Sequence, residues 1–135
     1  MFLNMLKAKI HQATVTEANL YYIGSITIDK LILERVGLSS NELVHVVNIN
    51  NGARIETYII EGISGSGVCC LNGAAARHFH AGDRIIIMSY CWLEEIEALH
   101  HHPKIVFLDE RNQICQEINH ETEQTKFINQ QLVQN

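Results

Sequence analysis

No apolar run in this sequence reaches the roughly 18 residues that a membrane-spanning helix needs, so no such helix is expected. The opening residues 1–9 lack a signal peptide's order of charge, apolar block and small-residue cleavage site, which points to the cytoplasm. Basic residues are scarce. Ten Lys and Arg stand against fifteen Asp and Glu, for a net charge of −5 and a pI of about 5.9. That balance excludes a general nucleic-acid or anionic-membrane binder. No Cys-x-x-Cys pair occurs among Cys69, Cys70, Cys91 and Cys115, and all four read as reduced, mostly buried thiols. Also missing are a glycine-rich phosphate loop, a His-Glu-x-x-His, a Gly-x-Ser-x-Gly and any clear internal repeat.

What is present is a chain of 135 residues that is 47% hydrophobic and 19% charged. This suits one packed domain over residues 1–118, followed by a polar tail over 119–135. The pattern is mainly β. Residues 6–15 alternate, with Leu6, Ala8 and Ile10 on one face and Lys7, Lys9 and His11 on the other. Residues 19–28 hold β-formers broken at Gly24-Ser25. Asp29 can cap a short helix over 30–36 that ends at Gly37. Strands are expected at 42–49 and 54–60, joined by Asn50-Asn51-Gly52, a tight-turn signal. Further strands are expected at 68–71, 84–90, 105–108 and 114–118, with a turn at 72–76 and a helix at 93–100. About seven short strands with tight turns suggest a closed barrel or a sandwich.

Polar groups stand out in otherwise well-patterned strands: Lys9, His11, Arg54, Thr57, Tyr58 and Asn72. Each alone has an ordinary explanation as a solvated face, a half-buried aromatic or a turn residue. The run His100-His101-His102 invites a metal reading, with Cys91 or Cys115 as further ligands. Adjacent histidines on a helix diverge, however, while a metal needs ligands converging at about 2 Å. A helix C-terminus favouring positive charge explains the run without a metal.

Order and spacing add what single residues lack. The segments Met5-Leu6-Lys7-Ala8-Lys9-Ile10-His11, Tyr22-Ile23-Gly24-Ser25, Asn51-Gly52-Ala53-Arg54, Thr57-Tyr58, Asn72-Gly73-Ala74-Ala75-Ala76 and Gly82-Asp83 occur in sequence. Together, over residues 5–108, they resemble the aspartate 1-decarboxylase family, pyruvoyl enzymes that make β-alanine for pantothenate synthesis.

The resemblance implies a double-psi β-barrel with short helices, a homotetramer with sites between subunits, and L-aspartate as substrate. It also implies a cofactor made from the chain itself, without metal or pyridoxal phosphate. Decarboxylation leaves a carbanion that needs an electron sink. A pyruvoyl group linked to the substrate as a Schiff base supplies one. Ser25 would be its precursor, with cleavage between Gly24 and Ser25. Glycine at position 24 leaves the attacked carbonyl unhindered. By the same resemblance, Arg54 and Lys9 bind the substrate carboxylate, and the planar Arg54 fork suits two hydrogen bonds. Tyr58 matches the proton donor, and Thr57 a group that assists cleavage and then contacts substrate. Asn72, Gly73, Ala74 and Ala75 match the segment that presents amide groups to the ligand, while His11, Tyr22 and Ile86 line the pocket.

Two departures bear on the resemblance. Val47 stands where many members carry tryptophan, and the chain diverges after Asp109. A maturation factor for the cleavage is left open. The competing reading is a non-catalytic double-psi barrel that binds a small carboxylate or a protein partner. Such a module would need neither Ser25 nor Tyr58.

Overall fold

The computed structural model describes residues 1–122. The expected tail over 119–135 therefore lies, from position 123 on, outside the described residues. Among the described residues nine strands form rather than about seven. They are β1 (Phe2–Thr14), β2 (Glu17–Asn19), β3 (Ser25–Asp29), β4 (Leu43–Asn48), β5 (Arg54–Gly62), β6 (Cys69–Asn72), β7 (Arg84–Glu94), β8 (Lys104–Leu108) and β9 (Ile114–Ile118). Helix α1 covers Lys30–Val36 and α2 covers Glu95–Ala98, and a 3-10 helix spans Gly73–His78.

Hydrogen-bonded neighbours run β2-β6-β3-β5-β4-β7-β1-β8-β9. The two segments β1 and β2 are almost continuous in sequence, yet they lie at opposite ends of the run from β6 to β7. That run therefore closes on itself. Thr16 makes the seam: its N–H donates to Cys69 O at 2.7 Å, and the Cys69 N–H donates to Thr16 Oγ1 at 2.9 Å. The result is a ring of six strands, with β1 and β2 acting as one, and closure removes the unpaired edges an open sheet would expose. Within the ring, β3 runs parallel to β5 and β2 parallel to β6; the remaining pairs are antiparallel. Strands β8 and β9 extend the sheet outward from β1. This is the expected mainly β barrel with short helices.

Alternation builds the core. Ile10, Ile26, Val46, Ile59, Leu71 and Ile87 are all fully buried and fill the ring. Helix α1 adds Ile32, Leu33 and Val36, which share one face at helical spacing. Its caps are the expected ones. The Asp29 carboxylate accepts from Leu31 N at 2.9 Å, and Gly37 ends the helix at φ 72°. Asp29 also accepts from Gly65 N and Gly67 N, both at 2.8 Å, so one buried carboxylate ties the helix start to the glycine loop.

Most strand ends shift by one or two residues from expectation, and three departures are larger. Strand β1 begins at Phe2 rather than position 6, because its ladder with β7 runs to Phe2↔Glu94. The helix expected over 93–100 shrinks to Glu95–Ala98, since β7 continues through Glu94. Glu94 and Glu97 then close a capping box at the shorter helix. The turn at 72–76 becomes the 3-10 helix.

Candidate active site

Two sets of residues share the predicted roles, and they occupy different parts of the barrel. The first lies where β3 begins. Segment 20–24 is largely exposed, with Tyr22 at 62% and Ile23 at 81%, but the next residue, Ser25, is completely buried. Pairing of β3 with β6 sets Ser25 opposite Asn72 and Thr27 opposite Cys70. Residues two apart on a strand share a face, so these four polar side chains form one patch.

The hydrogen bonds within it are directional. The Ser25 hydroxyl donates to Ile23 O at 3.2 Å. Its oxygen accepts from Asn72 Nδ2 at 3.0 Å, and the same Nδ2 donates to Thr27 Oγ1 at 3.1 Å. The Cys70 thiol donates to Asn72 Oδ1 at 3.2 Å. Burial and the nearby Glu17 carboxylate push the Cys70 thiol up, so it keeps its proton. An N–H aimed at Oγ favours negative charge there, as an attacking oxygen needs.

Gly24 is unobstructed: a Cβ placed on it would meet nothing within 4 Å. Gly73 is the opposite case. It sits at φ +76°, and a Cβ there would lie 2.6 Å from Gly24 Cα and 2.8 Å from Gly24 N. The 22–24 backbone thus rests directly on Gly73, in space that only glycine leaves free. In the 3-10 helix that follows, Ala74 is exposed and Ala75 half-buried. Strand β3 pairs with β5 from Ile26↔Ile59 onward. Carried back one and two residues, that register brings Tyr58 level with Ser25 and Thr57 level with Gly24.

The second set lies on the outer face of the sheet. The ladders align His11, Ile86, Val47 and Arg54 in one row across β1, β7, β4 and β5. A parallel row aligns Lys9, Met88, His45 and Glu56. Lys9 and Arg54 therefore share a platform. Lys9 Nζ holds the Glu121 carboxylate at 3.0 Å, and Arg54 Nη2 lies 3.1 Å from His45 Nδ1. Along β5, Tyr58 falls on the Arg54 face, while Thr57 stands opposite the buried Val44 and faces inward. No hydrogen bond or ion pair runs from Ser25 or Asn72 to Lys9 or Arg54.

His11 differs from the solvated position its alternation suggests. Strand β8 pairs with β1 at His11↔Phe107, and the two rings lie 5.2 Å apart. Burial first, then the Lys9 and Arg84 charges, lower its pKa from 6.5 to about 4. A histidine held neutral by folding contributes stability that is complete above pH 6.5 and is lost as pH falls toward 4. Urea unfolding at pH 7 and pH 4.5 should therefore show the native chain losing about 2 kcal/mol more than His11→Gln. Equal losses in the two proteins would show that His11 does not titrate this way.

The histidine run has a structural use. His101 Nε2 lies 2.6 Å from Leu6 O, which ties α2's end to β1. Among the described residues no three metal-ligating side chains converge, and the four cysteines are free thiols. No helix among those residues is long and apolar enough to cross a membrane. Residue-by-residue reading missed Thr27, Cys70, His45 and Glu121, which hold the predicted residues in place. The spacings Ser25-x-Thr27 and Cys70-x-Asn72 signal shared strand faces, but only the fold brings those faces together.

The closed ring of short strands is a small β-barrel that carries a buried, donor-held serine after an open glycine, and comparison with known proteins gives its lineage. The chain belongs to the aspartate decarboxylase family, whose sequence profile, described as Aspartate decarboxylase, matches residues 1–115. An aspartate 1-decarboxylase of Listeria monocytogenes serovar 1/2a is 65% identical over 114 residues, covering 84% of this chain and 90% of the relative. One from Caldicellulosiruptor saccharolyticus is 58% identical over 121 residues, covering 90% and 94%. A solved structure, the rationally designed protein mkDPBB_sym_86, aligns with TM-score 0.43 and 17% identity over 58% of this chain and 91% of its own.

Proposed function

We propose that this chain is the precursor of a pyruvoyl-dependent enzyme that removes CO₂ from L-aspartate to leave β-alanine, for pantothenate synthesis in the cytoplasm. The observation that carries the proposal is the buried Ser25 hydroxyl, held by Asn72 beside a Gly24 pressed onto Gly73. Ser25 Oγ attacks the Gly24 carbonyl. The peptide C–N bond breaks, the hydroxyl proton passes to the freed nitrogen, and an ester replaces the amide. Loss of the Ser25 Cα proton and departure of the Gly24 carboxylate leave dehydroalanine at position 25. Water then replaces its nitrogen, which leaves as ammonia. The products are residues 1–24 and a fragment headed by a pyruvoyl group, which serves as electron sink for the decarboxylation.

The residues around position 25 fit such a group. The hydrogen bonds from Asn72 and the open space at Gly24 suit a planar carbonyl there. Arg54 and Lys9 bind the substrate carboxylate, a reading that the Lys9–Glu121 ion pair supports for Lys9. Tyr58 returns a proton to the substrate carbon. Thr57, Asn72 and the Gly73-Ala74-Ala75 backbone hold the rest of the substrate, and His11, Tyr22 and Ile86 wall the pocket. The division of these residues between barrel end and outer platform supports a site built from two copies, within a tetramer.

Intact-mass analysis tests the reading. Mature protein should consist of two polypeptides divided between positions 24 and 25, the larger without a free amino terminus. Borohydride added with aspartate should leave a covalent adduct on the larger fragment. Cleavage that starts only after cell extract is added would assign a maturation factor. An uncleaved chain that still makes β-alanine would refute the proposal.

A further inference from the structure

Asn72 donates to Ser25 only while its side-chain amide faces one way. The amide's two ends are nearly identical in shape, and the Ser25 and Thr27 hydroxyls can each accept or donate. Those two neighbours alone therefore accommodate either orientation. The third neighbour does not. Cys70 Sγ lies 3.2 Å from Asn72 Oδ1 and 3.9 Å from Leu71 O, so its weak S–H donor has its nearer acceptor in the amide oxygen, while an amide N–H turned toward it would meet only a weak acceptor. We propose that Cys70 is the positioning residue that fixes the Asn72 amide and thereby sets the rate of self-cleavage. The inference rests on Ser25 being the cleavage nucleophile.

The geometry supplies the reason. With the thiol on Oδ1, both hydroxyl oxygens receive an N–H from Nδ2, at 3.0 and 3.1 Å. The Ser25 proton is then free to point at Ile23 O. Turned over, the amide would put N–H groups against sulfur and its carbonyl oxygen against Ser25 Oγ. The serine would spend its proton on Oδ1. As Ser25 Oγ lost its proton to attack Gly24, the negative charge on Oγ would face an acceptor rather than a donor. Cys70 is 5% exposed, so water does not substitute for the missing S–H. Its place two residues before Asn72, opposite Thr27, keeps it on the same strand face.

The test follows cleavage of freshly synthesised precursor by intact mass in the native chain, Cys70→Val and Cys70→Ser. Valine keeps the bulk and removes the donor; serine loses bulk and, donating as readily as it accepts, still pairs with the productive amide orientation but no longer excludes the other, which limits the slowing to about twofold. The expected order is native and serine within about twofold of each other, and valine about 5- to 10-fold slower, as loss of one buried hydrogen bond implies. A packing role would reverse that order. Thermal midpoints measured alongside separate slow chemistry from poor folding, and Cys70→Ala against Cys70→Ser repeats the comparison if valine fails to fold. Native-rate cleavage in the valine and alanine variants, or a serine variant as slow as either, would overturn the assignment of Cys70 alone. A native chain that never cleaves, with cell extract or without it, would overturn the reading of Ser25 itself, and this proposal with it.

Discussion

A Ser25→Ala chain will fold, stay a single polypeptide and release no CO₂ from aspartate. The substitution removes one buried oxygen and leaves one N–H of the buried Asn72 amide without its acceptor. Asn72 Nδ2 keeps its bond to Thr27 Oγ1 at 3.1 Å, and the Ile23 carbonyl belongs to a segment open to solvent. The cost to stability is about 1–3 kcal/mol, that of a buried donor left without its partner. The cost to function is total, because both the nucleophile for cleavage and the atoms of the electron sink reside in that side chain. The fall in decarboxylation should be at least about 10⁶-fold, the lower end of enzymatic acceleration. Three measurements check this together: a single mass for the uncleaved chain, a cooperative unfolding transition with its midpoint only some degrees below that of the native precursor, and absence of labelled CO₂ from carboxyl-labelled aspartate. Residual turnover from the uncleaved variant would mean that another group accepts the electrons.

The same serine marks how far sequence carries the structure. Local chemistry was legible wherever a few adjacent residues decide the outcome. Asp29 and Gly37 bound α1 as expected. In the hairpin turn, Asn51 Oδ1 accepts from Ala53 N and Gly52 takes φ +76°. Alternation named Ala8 and Ile10 as core. What stayed hidden depends on partners distant in sequence. Ring closure rests on the three residues of β2, too few to show any period. His11 reads as a solvated strand position until β8, nearly a hundred residues later, lays Phe107 beside it. Cys70 reads as a small apolar filler until β3 pairs with β6. Family resemblance named Ser25 and Asn72 together, but their 3.0 Å contact follows from the register of two strands.

Gly73→Ala should fold and yet cleave at least about 10²-fold more slowly than the native chain. Two costs arise at this position, and they can be separated. The first is conformational: φ +76° is left-handed, and a Cβ there costs about 1–2 kcal/mol. The second is steric. The new Cβ would stand 2.6 Å from Gly24 Cα and 2.8 Å from Gly24 N, both backbone atoms that cannot swing aside as a side chain does. Relief requires moving the 22–24 segment by about 1 Å, the misplacement that typically costs a reaction two orders of magnitude. Segment 20–24 is exposed, so it can move without breaking the core, and the damage falls on the approach of Ser25 Oγ to the Gly24 carbonyl. Gly52 provides the control. It has the same φ of +76° but nothing within 4 Å of a Cβ. Gly52→Ala therefore incurs the conformational cost alone and should cleave at the native rate. Rates followed by intact mass, with unfolding midpoints for both variants, decide the matter. If the two alanine variants lose similar stability and only Gly73→Ala stalls, the close approach of Gly73 to Gly24 positions the scissile bond. If both cleave at the native rate, the segment finds its reactive geometry without that contact, and the role of Gly73 is confined to the turn.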